Sequence, residues 1–436
     1  MKKYSNNFVL FGLVVVLASL GTGCKTVKPL DVDDGRMAFL QGQYEHSQAL
    51  LSQAEVVQRK KDQSSYSKLF ADLTTKTFTR GGYQPMFRDR FMTHFYLALD
   101  YLALEQVSKA QTEMRKMLRL MDKLSMEWER MPDREELSEV SEELGQPNLQ
   151  GRLQQYQAAT RAYWNLADTG ANWQLARFYH PAALLLAAFL EGCRSGDTEE
   201  FRYACRLVDE SRFGQRTVLQ LLNGVNGGLA GKLLVIAAVG KGPVLAERKV
   251  GVTGAQLISF TSLPKERDNL MKMNGPQFNP ENAVLLSSTE AVISTEMATS
   301  LYSSLAADFA LRESRLYWEQ IIRVVVRDLL VEGVIWAGSS VADDSKTSLW
   351  VTILGNITWF FARQTLMTPD LRCQQRSPWC YQVALMEIPD NRKLTCKLGD
   401  DQVEVTLPAN CKNAVLYLDC HGYSKDEIHP ILLPIR

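Results

Sequence analysis

The sequence predicts an α+β protein in which an N-terminal helical domain precedes a mixed domain of helices and antiparallel strands. Two observations lead to this prediction. Apolar residues recur at intervals of three and four along residues 36–222, which is typical of amphipathic helices. Beyond residue 222 the sequence changes to glycine-rich turns and short β-branched runs, which indicate strands. With 46% apolar residues among 436, the chain can build a sizeable core.

These patterns divide the chain into four segments. Residues 1–23 are predicted to be a signal peptide, and residues 24–35 a tether because they are polar and include Pro29 and two adjacent aspartates. Residues 36–222 are predicted to form the helical domain and residues 223–436 the α+β domain.

The first 23 residues have the three parts of an export signal. Lys2 and Lys3 give it a positive start, residues 8–20 are uncharged and mostly apolar, and small residues lead to Cys24. The apolar run of about 13 residues is short compared with the roughly 20 that a bilayer-spanning helix needs. The pattern therefore favours a cleaved leader over a retained membrane span.

The end of this leader resembles a bacterial lipoprotein signal, in which a peptidase cuts before a cysteine that carries lipid. The resemblance implies lipidation of Cys24 and contact with the membrane through that lipid. The family usually has leucine three residues before the cysteine, whereas this chain has Gly21 there and Leu20 one position further back. Lys25 after the cysteine, in place of aspartate, implies an outer-membrane lipoprotein that faces the periplasm; retention in the inner membrane is the alternative.

The helical segment contains three candidate helical hairpins. The clearest covers residues 91–123, where a polar break at residues 105–108 separates two helices with apolar faces. The others cover residues 36–55, with Gly42 at the turn, and residues 179–210, with Gly196 at the turn. Helices this short need neighbouring layers to bury their apolar faces.

The spacing within these hairpins resembles a tetratricopeptide repeat, although Glu105 replaces the turn glycine of the second one. The distances between the hairpins are irregular, so we expect an interrupted, degenerate array, with an ordinary helical bundle as the alternative. The resemblance implies that the first helix of the second hairpin lines a groove that binds a partner. The groove residues would be Met92, Phe95, Leu99 and Leu102, and burial of these four in the core is the alternative.

The C-terminal segment is expected to contain both strands and helices. Strands are predicted at two places within residues 223–252 and at residues 257–263, 282–287, 381–388, 393–397, 403–407 and 414–418. Two helices are predicted within residues 294–332 and a third at residues 349–366. Polar turns between the last four strands favour antiparallel hairpins.

The order of leader, interrupted helices, strands, paired helices and a short motif before residue 381 is similar to a family of uncharacterised bacterial envelope lipoproteins. Asp370, Arg372 and Pro378 match the family motif, whereas Cys373, Gln374 and Ser377 depart from it. The resemblance implies a role in maintenance of the envelope or its peptidoglycan, and the family has no established reaction. An ion pair that holds a turn is the alternative use of Asp370 and Arg372.

The chain has eight cysteines and no Cys-x-x-Cys pair, which argues against zinc ribbons and thioredoxin-type redox motifs. Export would place the cysteines in an oxidising compartment, where disulfides form. The disulfide candidates other than Cys24 are Cys193, Cys205, Cys373, Cys380, Cys396, Cys411 and Cys420. For the first two, a bridge and two buried free thiols are both open; among the last five, we expect two disulfides and one free thiol.

Several classes of chemistry lack support in the sequence. A formal net charge of zero gives no global field that would attract nucleic acid, so no nucleic-acid partner is expected. The five histidines are scattered without His-Glu-x-x-His spacing, and no metal or cofactor is predicted.

The sequence favours a lipid-anchored envelope protein that acts as a scaffold for protein partners of unknown identity, and not an enzyme. The alternative is an envelope enzyme or a glycan-binding module with its site in the C-terminal domain. A cleft with convergent polar groups near Asp370 and Arg372 would favour that alternative.

Overall fold

The protein is described by a computed structural model. The residues that it describes are 32–60, 87–129, 140, 142, 150–166, 180–211, 213–226, 228–242, 244–251, 257–262, 283–301, 304–305, 308–309, 312, 314–326, 328, 377–420 and 428–435.

The N-terminal part of the described chain is helical. Its helices are α1 (Val32–Leu40), α2 (Tyr44–Lys60), α3 (Phe87–Ala103), α4 (Val107–Glu129), α5 (Gln150–Leu166), α6 (Pro181–Ser195), α7 (Glu199–Ser211) and α8 (Gln215–Val225). Helix α1 begins at Val32, so the predicted tether is too long at its C-terminal end.

Three pairs of these helices form the predicted hairpins: α1 with α2, α3 with α4, and α6 with α7. Each turn contains a residue in the left-handed region, namely Gly42 (φ 74°), Glu105 (φ 57°) and Gly196 (φ 75°). The glycines adopt this conformation without steric cost, whereas a residue with a Cβ atom is strained there. Glu105 therefore occupies the glycine position of its turn at an energetic cost.

The hairpins stack in chain order. Helix α2 packs against α3, and α4 packs against α6, while α8 packs against both helices of the third hairpin. Residues 182–190 of α6 are all buried, which agrees with a helix that is apolar on every face. By contrast, α4 buries one stripe that includes Ala110, Met114 and Met117 and exposes the opposite side.

The strands are β1 (Lys232–Val239), β2 (Ala246–Gly251), β3 (Leu257–Ser262), β4 (Leu285–Ser287), β5 (Val292–Ser294), β6 (Glu296–Ser300), β7 (Cys380–Glu387), β8 (Lys393–Leu398), β9 (Asp401–Thr406), β10 (Asn413–Cys420) and β11 (His429–Ile435). They form a five-stranded sheet in the order β11-β10-β1-β7-β6, a four-stranded sheet in the order β5-β4-β8-β9, and the pair β2-β3.

The α+β class is confirmed, and several details of the prediction are wrong. The five-stranded sheet is mixed, because β1 and β10 run parallel, while its other neighbouring strands run antiparallel. Strands β5 and β6 occupy residues 292–300, where the sequence pattern predicted the start of a helix, and β11 was not predicted. The described residues between 301 and 328 are helical, as expected. The predicted helix at residues 349–366 lies outside the described residues.

The two faces of the five-stranded sheet are both buried. Alternate residues of β1, such as Leu234 and Ile236, point toward α3 and α6 and share one core with the helical hairpins. The intervening residues, such as Leu233 and Val235, belong to a second core against the four-stranded sheet. The described elements thus form four layers. The second helices of the hairpins are followed by the first helices, then by the five-stranded sheet and finally by the four-stranded sheet. The predicted boundary at residues 222/223 falls within α8, and the first core extends across it.

Two helix N-termini are capped by residues far away in the sequence. Both carboxylate oxygens of Asp308 accept hydrogen bonds from α3, one from the backbone N–H of Phe87 and one from that of Arg88, each at 2.8 Å. Glu296 at the start of β6 accepts from the backbone N–H and the hydroxyl of Thr217 in α8, both at 2.7 Å. A carboxylate at a helix N-terminus satisfies orphan N–H groups and interacts favourably with the helix dipole.

A buried carboxyl joins the first two hairpins. Asp100 of α3 is fully buried and accepts a 2.7 Å hydrogen bond from the hydroxyl of Ser47 in α2. Burial raises the pKa of Asp100 to about 8, although the bond from Ser47 acts to lower it and Glu45 adds to the increase. The fold therefore favours the protonated form of Asp100.

We expect Glu105→Gly to raise the free energy of unfolding by about 0.5–1 kcal/mol, because glycine removes the strain of a left-handed φ but makes the unfolded chain more flexible. Urea unfolding measures the change. Gln53→Gly, at an exposed position within α2, is the control and should lower stability by about 1 kcal/mol. A loss of stability in both variants would contradict the account of the turn.

We expect stability to depend on pH through Asp100. Its folded pKa of about 8 lies above the unfolded value of about 3.9. Between these pH values the folded protein binds a proton at Asp100 that the unfolded chain does not bind. The contribution of this proton to the free energy of unfolding therefore decreases as pH rises from about 4 to 8, by at most about 1.4 kcal/mol per pH unit. Asp100→Asn should remove this decline in urea unfolding experiments. Asp209→Asn, at an exposed position of α7, should keep it; identical pH profiles for the two variants would be the contrary result.

Candidate functional site

The predicted groove residues are not on the surface. Met92, Phe95, Leu99 and Leu102 of α3 are at most 1% exposed and belong to the core shared with the five-stranded sheet. The groove prediction is therefore wrong for this fold. First helices of stacked hairpins do line an inner surface, but the sheet of the same chain covers it.

Three other predictions lie wholly or partly outside the described residues: the lipidation site, the family motif and the disulfide candidates. These include Cys24, Asp370, Arg372 and Cys373. Pro378 is described; it is buried and lies two residues before the start of β7. Its neighbours fix the start of that strand, because the N–H of Trp379 donates to the carbonyl of Val239 at 2.9 Å and the N–H of Gly242 donates to that of Ser377 at 2.8 Å.

The described cysteines are free thiols: Cys193, Cys205, Cys380, Cys396, Cys411 and Cys420. The last four of these belong to the C-terminal group, and none of the four forms a disulfide. The prediction of two disulfides in that group is therefore wrong. Geometry explains one pair, since Cys380 in β7 and Cys420 in β10 both align with Val239 of the strand between them. Two strand spacings separate their Cα atoms by about 10 Å, which exceeds the reach of a disulfide. Burial raises the pKa of Cys205 to about 12, so this thiol is unreactive.

A buried polar network joins the helices to the sheet. The guanidinium of Arg36 in α1 donates to the hydroxyl of Tyr96 at 2.8 Å and to the carboxylate of Asp419 at 2.6 Å. The Tyr96 hydroxyl also contacts the hydroxyls of Tyr381 at 2.8 Å and Tyr417 at 3.1 Å. We call these five residues the junction network; they come from α1, α3, β7 and β10.

The sheet register creates the space for the junction network. Ala238 of β1 lies between Tyr381 of β7 and Asp419 of β10 in one row across the sheet. Its small side chain leaves room for the larger groups on both sides. His180, the N-cap residue of α6, packs against Tyr381 with ring centroids 4.8 Å apart. Burial lowers the pKa of His180 to about 3, so this ring is neutral.

The charges of the junction network compensate one another. Burial by itself lowers the pKa of Arg36, but Tyr96, Tyr417 and Asp419 outweigh it and the pKa is raised. Burial raises the pKa of Asp419, although Arg36 and His429 act to lower it. Burial also raises the pKa of Tyr417, which therefore stays protonated and serves as a hydrogen-bonding group. The network is closed to solvent apart from the edge of Asp419, so its role is structural.

A surface cleft of about 300 Å³ lies between the first two hairpins. It is lined by Glu55 and Gln58 of α2, Arg90 and His94 of α3, and Lys116, Arg119, Leu120 and Lys123 of α4. We call it the basic cleft. Helical periodicity places these residues together, because the α4 members recur at intervals of three and four and the two α3 members are four residues apart. The described lining residues include four cations and one carboxylate, Glu55.

A hydrogen-bonded chain forms the floor of the basic cleft. The Nδ1 atom of His94 lies 2.7 Å from Glu113, and Lys116 donates to Glu113 at 2.8 Å and to Glu55 at 3.4 Å. Gln58 donates to Thr93 at 2.9 Å. His94, Glu113 and Gln58 are buried, so the floor is fixed in place.

The electrostatics of this floor follow from its contacts. Burial acts to raise the pKa of Glu113, but hydrogen bonds from His94 and Lys116 outweigh it and lower the pKa. Burial acts to lower the pKa of Lys116, and its bonds to Glu113 and Glu55 raise it overall. Both groups are therefore charged at neutral pH. Arg119 makes no hydrogen bond or ion pair within the described part of the chain, so its guanidinium is available to a ligand.

Other surface depressions are less developed. One of them, of about 630 Å³, lies beside the turn between α3 and α4 and includes Arg194. The guanidinium of Arg194 is already bonded to Ser108 and Gln111. Across the described ranges, no three His, Cys, Asp or Glu side chains converge in a way that could hold a metal ion. No helix in the described part of the chain has the length and apolar character that crossing a membrane requires.

Comparisons with known proteins give no match: no family model, no curated protein and no solved structure is significantly similar to this chain.

Neither the junction network nor the basic cleft was predicted from the sequence. A signal for the cleft was present in α4, where Lys116, Arg119 and Lys123 form one stripe. The junction network left a weaker trace: Asp419 directly follows the apolar run at residues 414–418 and is a charge where the pattern continues the core.

We expect Arg36→Met to lower the free energy of unfolding by about 3–5 kcal/mol, because it leaves Asp419 without its buried counter-charge. Chemical unfolding measures the loss. The double variant Arg36→Met/Asp419→Leu should lose less, since both charges are gone. Arg202→Met, which breaks the exposed pair with Asp197, serves as the control and should change stability little. Equal losses for Arg36→Met and Arg202→Met would contradict the role of the junction network.

Proposed function

We propose that this chain is a lipid-anchored envelope protein that acts as a scaffold by binding another envelope protein through the outer side of its helical hairpins. A role in maintenance of the envelope or its peptidoglycan fits the family resemblance. The leader and Cys24 support the anchor, and the layered fold supports the choice of surface. Because the sheet covers the first helices, a partner has access to the second helices, α2, α4 and α7.

The observation that carries this proposal is the basic cleft. Three helices from two successive hairpins supply its walls, and its floor is a fixed network of buried polar groups. A pre-formed polar surface costs little side-chain entropy on binding, since its groups are already ordered. Exposed charges that are merely solvated lack such a floor. The cleft is therefore suited to recognition of a partner.

Site-specific crosslinking in cells tests the proposal. We expect a photo-crosslinking amino acid introduced at Arg119 to give one discrete adduct with an envelope protein. The same amino acid introduced at Arg206, an exposed position of α7, is the matched control and should not give that adduct. Cys24→Ala should reduce the adduct, because the chain is no longer held at the membrane.

Two results would contradict the scaffold. One is the same set of adducts from Arg119 and Arg206, which would indicate random collision. The other is hydrolytic activity of the purified chain toward envelope components together with no adduct from Arg119, which would favour an enzyme.

A further inference from the structure

We infer that the exposed edge of strand β9 binds an extended segment of a partner protein as an added antiparallel strand, with apolar side chains on one face of that segment and lysine or arginine opposite the acids of β9. This inference goes beyond the proposed function, because the edge belongs to the four-stranded sheet and not to the helical hairpins. It depends on the backbone, the apolar margin and the charges of this edge.

The backbone of β9 is available along its outer side. The N–H of Leu407 donates to the carbonyl of Arg392 at 2.8 Å, and bonded pairs alternate along an antiparallel ladder. The ladder with β8 therefore uses the odd-numbered residues of β9, and the outward N–H and C=O groups belong to Gln402, Glu404 and Thr406. All three residues are exposed, and these outward groups have no hydrogen-bond partner in the described part of the chain.

The other edges of the two larger sheets are occupied, blocked or short. Pro430 and Pro434 take two outward positions of β11, and proline has no N–H to offer. At the β6 edge, the carbonyl of Met297 accepts from the N–H of Gly214 at 3.2 Å. Strand β5 has three residues, and very short edge strands resist the addition of another strand. Among the described edges of these sheets, β9 thus offers the longest run of backbone to a partner.

An apolar margin lies beside this edge. Strand β11 contacts β9, so the edges of the two sheets lie at the same side of the second core. Leu398, Val403 of β9 and Leu432 of β11 are half-buried and pack against that core. The side chains of an added strand alternate between its two faces, so those opposite Val403 and Val405 cover this margin. Apolar side chains at these positions remove more of it from water.

The charges of the edge select a basic partner. Asp400 and Asp401 are exposed at the start of β9 and form no ion pair within the described ranges. Glu404 lies further along, in an exposed pair with Lys393 at 2.8 Å. Cations opposite Asp401 and Glu404 on an added strand form favourable cross-strand pairs. A second copy of β9 would instead bring the acids of both copies together, which is destabilising. The edge therefore favours a different, basic segment over self-association.

Fluorescence anisotropy with the full-length chain in detergent tests this inference, with a labelled peptide of sequence Thr-Val-Lys-Val-Thr-Lys as the probe. In the expected antiparallel register its first residue lies opposite Thr406 and its last opposite Asp401, so its valines face Val405 and Val403. We expect saturable binding that weakens as salt is added, because exposed charge pairs are screened. The peptide Thr-Val-Glu-Val-Thr-Glu should bind about fivefold more weakly.

N-methylated probes separate strand addition from simple attraction between charges. The third residue of the probe lies opposite Glu404, so its N–H points to β9, whereas the N–H of the fourth residue points away. Methylation of the third N–H should weaken binding about fivefold, because a backbone hydrogen bond is lost. Methylation of the fourth is the matched control and should leave the affinity unchanged.

The variant Gln402→Pro tests the edge itself, because it removes one outward N–H and leaves the ladder with β8 intact. It should weaken binding of the probe about fivefold. Val292→Pro makes the same change at an outward position of β5, on the opposite edge of the same sheet, and should leave the affinity unchanged. Urea unfolding should confirm that both variants fold like the parent chain, and the methylated probes test the unaltered chain.

Each other outcome overturns the inference. Absence of saturable binding, or equal affinity for the lysine and glutamate peptides, would reject a basic partner. Equal affinity for the two methylated probes, or equal weakening by the two proline variants, would reject strand addition at β9. Dimerisation of the parent chain that Gln402→Pro abolishes, measured by sedimentation, would identify a second copy as the occupant. The crosslink from Arg119 reports on a different surface, so failure of the basic cleft and failure of this edge are distinguishable.

Discussion

The burial of Arg36 is the constraint on which the arrangement of the layers depends. A guanidinium removed from water is tolerated only where other groups satisfy its charge and its hydrogen bonds. Here Arg36 donates directly to Tyr96 of α3 and Asp419 of β10. The Tyr96 hydroxyl in turn contacts Tyr381 of β7 and Tyr417 of β10. Apolar packing between helices and sheet is non-directional and would tolerate small slips. The junction network requires one position of α1 and α3 over the sheet, and thereby fixes how the hairpins lie on it.

This arrangement decides which surfaces are open to partners. Stacked helical hairpins commonly use the inner surface formed by their first helices for binding, but here the chain's own sheet packs on that surface through Leu234, Ile236 and their neighbours. The proposed partner would therefore bind the opposite side of the helical layer. The basic cleft lies there, and its floor reaches down to α3 through His94 and Thr93. The same inner helix that holds the junction network on one side thus supports the cleft on the other.

The sequence predicted elements whose signal is local and missed those that depend on distant partners. Helical periodicity and turn residues identified the three hairpins, including the exceptional turn at Glu105. The caps of α3 and α8 could not be predicted, because Asp308 and Glu296 are far away in the sequence. Strand β6 was mistaken for helix, since its short run, Glu296–Ser300, has little β propensity and is a strand because it pairs with β7. The groove residues were placed correctly on α3, but their apolarity reflects contact with the sheet and not with a partner. The stripe of cations on α4 was the one part of the cleft that the spacing of residues in the sequence indicated.

The central claim is that hairpins and sheet are one cooperative unit that shares a core and the junction network. Native-state amide hydrogen exchange at increasing urea concentrations tests it most directly, because it reports the free energy of opening for each segment separately. The account predicts that the slowest amides of α3 and α6 and those of β1, β7 and β10 converge on the same free energy of opening and the same dependence on urea. Protection that persists in β1 and β10 after α3 and α6 have become exchangeable would contradict it, since the helices would then be an independent domain.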